Sequence, residues 1–162
     1  MHHESGDVLV ADTNNHLVRR INATGMVYTA AGETALADPM PGTQPPVARP
    51  GCQRPCLKGV LGYRDGNSTR ARFTYPRGVA VDVASSAGYA QTNGPYTIVV
   101  ADNRAVRRGV PALGEHHSVH EFAGGAVADG GQVFTLAGTA DEGWRDGAGD
   151  EATFLRPAGV VA

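Results

Sequence analysis

The chain has 162 residues, 41% of them hydrophobic, and a formal net charge of -2, enough apolar content for the core of one ordinary domain and not the composition of a disordered tail. So balanced a charge leaves no basic stripe of the kind that nucleic-acid binding usually needs, and no run approaches the roughly eighteen apolar residues of a membrane-spanning helix. The 22 glycines and 10 prolines divide the apolar residues into short runs, which predicts an all-β chain of many short strands.

In chain order, VLVADTNNHLVRRI (8–21) comes first. Its apolar run Val8 to Ala11 stops at Asp12, the polar Thr13-Asn14-Asn15 follows, and a second run carries Leu17, Val18 and Ile21 with Arg19 and Arg20. This reads as strand, turn, strand. A third strand is expected in GMVYTAAG (25–32). Residues 33–62, rich in Pro and Gly, read as an insertion. They hold the two cysteines of the chain, Cys52 and Cys56 in CQRPC, so no disulfide framework or four-cysteine zinc site exists here. The pair reads as ordinary loop thiols, with a small disulfide-closed loop as the extracellular alternative.

YRDGNSTRARFTYPRGVAV (63–81) opens with Asp65-Gly66 turn chemistry, places Phe73 to pack between sheets, and sets Pro76 just ahead of a strand, where a missing N–H costs no ladder bond. Val79-Ala80-Val81 and the run Ile98 to Ala101 are apolar at consecutive positions. A half-exposed strand would alternate, so these strands are expected to be covered on both faces. A strand with Arg107-Arg108, a second insertion (109–130), the strand of GQVFTLAG (131–138) and WRDGAGDEATFLRPAGVVA (144–162) complete the chain.

These elements repeat. VLVADTNNHLVRRI pairs with IVVADNRAVRRG (98–109), GMVYTAAG with GQVFTLAG, and 63–81 with 144–162, where Arg64, Asp65, Gly66, Ala71, Phe73, Pro76, Gly78 and Val79 each recur 81 residues later. The offset is 90 residues from Asp12 to Asp102 and 106 from Gly32 to Gly138. Matched strands at uneven spacing place the length differences in loops. Asp12 and Asp102, each ending a strand, are expected to accept N–H bonds from the following turn. The second copy, DNRAVRR, is two residues shorter between Asp102 and Arg107 than the first between Asp12 and Arg19, so its turn is expected to be tighter.

On these residues the chain resembles the NHL-repeat β-propeller family, whose Asn-His-Leu stands here as Asn15-His16-Leu17. The resemblance implies blades of four antiparallel strands. Residues 1–32 would be the last three strands of one blade, 33–62 an inter-blade insertion, 63–138 a complete blade with its insertion at 109–130, and 139–162 the lead-in turn and first strand of a third. A propeller takes about four to eight blades, so the chain reads as an incomplete propeller, with the remaining blades expected from the same polypeptide.

The chemically sharpest stretch is GEHHSVHEF, with His116, His117 and His120 flanked by Glu115 and Glu121. On a helix His116 and His120 would share a face at the spacing of a two-histidine zinc pair. In an insertion of a β fold, with neither glutamate at the catalytic place of a His-Glu-x-x-His motif, the stretch reads as a solvated polar loop. His116, His117 and His120 are thus the candidate metal ligands, and zinc or calcium the metals to test; no cofactor is expected. Asp12, Asp65, Asp102 and Asp146 invite a calcium reading, but their recurrence with the strands favours turn-capping. His16 reads as a turn residue of the repeat, and Arg19, Arg20, Arg107 and Arg108 as solvated or paired scaffold. GAGDEA (147–152) lacks the lysine and helix of a phosphate-binding loop.

With no convergent acid, base and nucleophile in the repeated core, the expectation is a non-catalytic binding or scaffold module. A protein is the expected partner, with glycan or RNA as alternatives. The resemblance also implies a second reading, part of a propeller enzyme: a metal-dependent lactonase-like hydrolase or a peptide amidoglycolate lyase-like enzyme.

Overall fold

Residues 6–36, 57–82, 96–110 and 131–162 are described in the structure, a computed structural model. Apolar runs bounded by glycine, asparagine or aspartate, such as Val8–Asp12 and Gly78–Asp82, become strands. Strands β1 (Val8–Asp12), β2 (Leu17–Ile21) and β3 (Val27–Ala31) form an antiparallel sheet in that order. β4 (Thr34–Leu36) pairs with β5 (Leu57–Gly59), so the two ends of the 33–62 segment meet in a short antiparallel ladder. The remaining strands are β6 (Gly66–Asn67), β7 (Gly78–Asp82), β8 (Thr97–Asp102), β9 (Ala105–Gly109) and β10 (Gln132–Ala137). They make a five-stranded antiparallel sheet in the order β6-β10-β9-β8-β7. The fold is therefore all-β, and the sheets do not close on one another.

The sequence repeat is a structural repeat down to the register. On β2 and β3, Val18 faces Ala31 and Arg19 faces Thr29, leaving Ala30 as the extra residue of a bulge. On β9 and β10, Val106 faces Ala137 and Arg107 faces Thr135, leaving Leu136 in the same role. The turns differ as their lengths require. Asp12 and Leu17 are bridged by a 3-10 turn over Thr13–Asn15 that ends at His16 in the left-handed region (φ 55°), whereas Asp102 and Ala105 are joined through Asn103 and Arg104 alone.

Every residue of β8 is buried, as its unbroken apolar run requires. One core cluster joins Val18, Ala30 and Ala31 of the first sheet to Val81, Ile98, Val100 and Val133 of the second, with Ala71 and Phe73 of the lead-in between them. Phe73 is fully buried; removing such a ring typically costs about 3 to 5 kcal/mol.

The lead-in, residues 62–77, is the staple between the sheets. Toward the first sheet, its Ser68 and Ala71 carbonyls accept the N–H groups of Gly32 and Glu33, each at 2.7 Å. Toward the second, the Thr74 carbonyl accepts the Asn103 N–H at 3.0 Å and the Arg77 N–H donates to the Ala101 carbonyl at 2.9 Å. The segment 143–156 repeats this fold. Gly138 N–H donates to the Gly149 carbonyl as Gly32 does to Ser68, and Gly143 N–H to the Phe154 carbonyl as Gly62 does to Phe73. Tyr75 and Arg156, 81 residues apart, both hold φ at 55°, a conformation that costs a non-glycine residue on the order of 1 kcal/mol. In each the N–H is thereby aimed at the hairpin turn of the preceding sheet: Tyr75 at His16 Nδ1, Arg156 at the Asn103 carbonyl. Residues 158–162, expected as a first strand, join no ladder among the described residues; Ala158 to Val160 lie against Gly78 of β7.

Candidate functional site

An antiparallel meander sends alternate connections to opposite ends of its sheet. Asp82 faces Thr97 and Ile98 faces Gly109, so the connections 83–95 (β7 to β8) and 110–131 (β9 to β10) leave the same end of the five-stranded sheet. The Asn22 to Met26 turn of the first sheet follows Ile21, which pairs with Val8 and Val27. The other end carries the tight turns, His16 and the β4–β5 ladder. The first end is the candidate recognition rim.

Buried ionic contacts fix it. Arg108 Nη2 donates to Asp82 Oδ2 at 2.6 Å, and Thr97 Oγ1 donates to the Asp82 carbonyl at 2.9 Å, tying β7, β8 and β9 together where the connections depart. Arg20, only 2% exposed, lies 3.5 Å from Asp7 and over the Tyr28 ring at 5.4 Å. Tyr96 is buried beside this pair; burial, first of all, pushes its hydroxyl pKa up. Ser68 Oγ donates to the Val110 carbonyl, anchoring the start of the 110–131 connection to the lead-in. The rim thus consists of rigid strand ends from which the variable segments depart, the usual arrangement for recognition loops on a fixed scaffold.

A second polar centre lies between the sheets. Asp102, wholly buried, accepts the Thr74 and Asn103 N–H groups at 2.7 and 3.0 Å, and Arg107 Nη1 at 3.4 Å. Burial outweighs these bonds and pushes its pKa up to about 6. Arg107, equally buried, also donates to the Arg64 and Arg72 carbonyls and to the Asp65 carboxylate, with the Tyr63 and Phe73 rings stacked on it at 4.8 and 5.4 Å. A buried carboxylate with a raised pKa is a common sign of a catalytic site. Here both of its oxygens are engaged by main chain and arginine, so it works as a structural joint.

Asp102 thus accepts turn N–H bonds as expected, while Asp12 instead takes the Asn15 amide at 3.1 Å. Asp65 binds Arg107 and Thr135, and Asp146 is exposed, so the four aspartates are not gathered into one site. Among the described residues no group of three or more histidines, cysteines, aspartates or glutamates is placed to hold a metal ion. His16 is buried, its Nδ1 accepting the Tyr75 N–H at 3.3 Å and its ring edge-on to Tyr75; burial, aided by Lys58, lowers its pKa. Asn15 Oδ1 accepts the Gly59 N–H at 2.9 Å, and Leu17 is fully buried. Cys52, Cys56, His116, His117 and His120 lie outside the described residues. Each arginine pair divides: Arg20 and Arg107 are buried, Arg19 and Arg108 only partly. The alternation of strand faces carries that signal in the sequence, but which member turns inward depends on the neighbouring sheet.

No protein-family model matches the chain, and no curated protein does. Among the helices of the described residues none is long and apolar enough to cross a membrane. Among solved structures, the chain is similar to the crystal structure of an auxiliary nutrient binding protein from Bacteroides thetaiotaomicron, at 21% identity and a TM-score of 0.59. The likeness covers 99% of this chain and 31% of that one. The chain therefore spans about a third of that protein's length, and what the two share is the fold.

Proposed function

We propose that this chain supplies consecutive blades of an NHL-type β-propeller and acts as a non-catalytic binding module, recognising a protein partner through the rim from which 83–95 and 110–131 leave the five-stranded sheet. The observation that carries this reading is the engagement of four polar residues at the joints between the sheets. Asp102, Asp65, Arg107 and His16 are each bonded to the main chain of a neighbouring segment, so these four groups work as joints of the scaffold. Between the equivalent hairpins, the short turn 22–26 of the first sheet becomes the long connection 110–131 of the second, and on a rigid repeated scaffold recognition follows such variable connections. The fold shared with a protein named for nutrient binding supports a binding role.

The immobilised chain, offered a cell extract and an oligosaccharide array, is expected to capture a protein, and shortening of residues 111–130 to weaken that capture. Capture of an oligosaccharide alone would replace the protein partner with a glycan. Calorimetric titration with zinc or calcium is expected to give no stoichiometric site. A tight site lost in the His117→Ala, His120→Ala double variant, together with turnover of a lactone or a peptide amidoglycolate, would overturn the reading in favour of the enzyme.

A further inference from the structure

The lead-in before β7 grips the five-stranded sheet at one cross-strand row, Arg107 on β9 beside Thr135 on β10. The Arg64 carbonyl accepts Arg107 Nη2 at 3.0 Å, the Asp65 carboxylate accepts the same group, and the Tyr63 ring covers the guanidinium. Asp65 also accepts the Thr135 N–H at 2.9 Å and its hydroxyl at 3.1 Å, while the Tyr63 hydroxyl meets Thr135 Oγ1 at 3.0 Å. Three consecutive residues, an aromatic, an arginine carbonyl and an aspartate, thus hold an arginine–threonine row.

Each half of this joint occurs a second time without the other. Trp144, Arg145 and Asp146 stand 81 residues after Tyr63, Arg64 and Asp65, in a segment with the same internal bonds. Arg145 Nε donates to the Glu151 carbonyl at 3.0 Å as Arg64 Nε does to Arg70 at 3.0 Å, and Thr153 N–H donates to the Arg145 carbonyl as Arg72 N–H does to Arg64. Trp144, the one tryptophan of the chain, is 87% exposed. On the first sheet, Arg19 faces Thr29 beside the same bulge, and Val10 faces Arg19 as Val100 faces Arg107. Among the described residues nothing bonds the Arg19 guanidinium, the Thr29 hydroxyl or the Asp146 carboxylate, and no hydrogen bond or ion pair joins 139–162 to the first sheet.

We infer that the Trp144–Asp146 face of one molecule docks on the first sheet of a second copy of this chain, with Arg19 taking the place of Arg107 and Thr29 that of Thr135. The charges are complementary, aspartate to arginine. The exposed apolar residues match too: Leu155 and Val161 on one face, Val8, Val10 and Val27 on the other. The register carries over as well. β7 pairs with β8 through Gly78–Ala101, Val79–Val100, Ala80–Val99 and Val81–Ile98. Shifted by the repeat offsets of 81 and 90, this sets Gly159 opposite Ala11, Val160 opposite Val10, Val161 opposite Leu9 and Ala162 opposite Val8. The segment that joins no ladder among the described residues thereby covers the edge of β1 that none of them pairs with, an edge that otherwise invites pairing. Such head-to-tail contacts use two different surfaces and build a ring where the rotation closes. The inference stands on the repeated joint and not on the binding-module reading.

Sedimentation velocity on the 162-residue chain is expected to show concentration-dependent self-association, with Trp144 emission moving to the blue and losing iodide quenching as the complex forms. Arg19→Glu and Asp146→Arg are each expected to weaken association by about tenfold or more, because each sets like charges face to face. An equimolar mixture of the two variants should regain it, since the reversed charges then meet on one of the two kinds of face. Among the described residues neither side chain has a bonding partner, so circular dichroism of each variant should match the parent. Association indifferent to both reversals, or failure of the mixture to recover it, would overturn the proposal. So would a monomer at every concentration with unchanged Trp144 emission, which would leave that face to further blades of the same polypeptide.

Discussion

Asp102→Ala withdraws one acceptor from two main-chain donors at once. The Thr74 and Asn103 N–H groups both reach Oδ1, at 2.7 and 3.0 Å, while Arg107 reaches Oδ2 at 3.4 Å. The site is fully buried, so water does not replace the lost oxygen. At about 1 kcal/mol or more for each buried donor left unmatched, and with Arg107 deprived of one of its two carboxylates, the loss comes to about 3 kcal/mol. Asp102→Asn keeps an oxygen for both N–H groups but turns an amide NH2 toward Arg107, which costs about 1 kcal/mol. The two variants also differ from the parent in pH dependence. Because burial pushes the Asp102 pKa up to about 6, the folded chain keeps a proton that the unfolded chain releases near pH 4. Over that window the folded state binds more protons, so this group's stabilisation is fully present below about pH 4 and is lost as pH rises through about 6, by up to about 3 kcal/mol. Urea unfolding of parent and Asp102→Asn at dilute, monomeric concentration measures this directly. The parent's margin over the variant should shrink from about pH 4 to about pH 7. A constant margin, or an Asp102→Ala loss well under about 1 kcal/mol, would refute the reasoning.

Arg107→Met should destabilise by about 3 kcal/mol or more, read from urea unfolding, because it strands the buried Asp102 carboxylate; a loss near zero would mean that the methionine packs as well as the ion pairs bond. Gly32→Ala should cost about 2 kcal/mol in the same assay, since φ is +118° and the new methyl would lie 2.5 Å from Leu17 Cδ2 and 3.1 Å from the His16 carbonyl oxygen. Gly25→Ala, at φ +82° with nothing within 4 Å, should cost less, and equal losses would contradict the packing argument. His16 should titrate below the ordinary histidine value by proton NMR, because burial, then Lys58, disfavours its cation. Its contribution has the opposite sign to that of Asp102: protonation favours the unfolded chain, so stability is lost as pH falls through the window just under that value. A midpoint at the ordinary value would place His16 in water, and one above it would mean that the Asp12 carboxylate outweighs burial; either would contradict this reading.

The sequence made the repeat legible because its signals are local. Glycine and aspartate mark turns, the unbroken apolar run Ile98 to Ala101 marks a strand covered on both faces, and the shorter spacing after Asp102 marks the tighter turn at Asn103 and Arg104; Val8 and Val10 of β1 and Val79 of β7, in equally apolar runs, keep some exposure. Phe73 was legible as a ring between sheets because it recurs at a fixed distance from the Asp-Gly turn. Other features depend on partners far along the chain. Arg107 reads as an ordinary strand arginine until the lead-in folds over it with two carbonyls and Asp65. The two-residue strand β6 exists only because β10 passes beside it, and no pattern of two residues announces a strand. Asp12 and Asp102 are equivalent in sequence but not in role: Asp102 is clamped by the lead-in through Thr74, while Asp12 takes the Asn15 amide of its own longer turn. That connections 83–95 and 110–131 share an end follows from counting strands in a meander, and the pairing of β7 with β8 and of β8 with β9 fixes the count.

The most direct test of the rim as the recognition surface is the amide spectrum of the isotope-labelled chain, titrated with the ligand obtained by capture. Shift changes are expected to gather at Asp82, Thr97, Arg108, Val110 and Gly131 and along 111–130, with Asn103, Arg104 and His16 at the opposite end unmoved. Changes centred on Asn103, Arg104 and His16, with the Asp82–Arg108 end silent, would contradict the account.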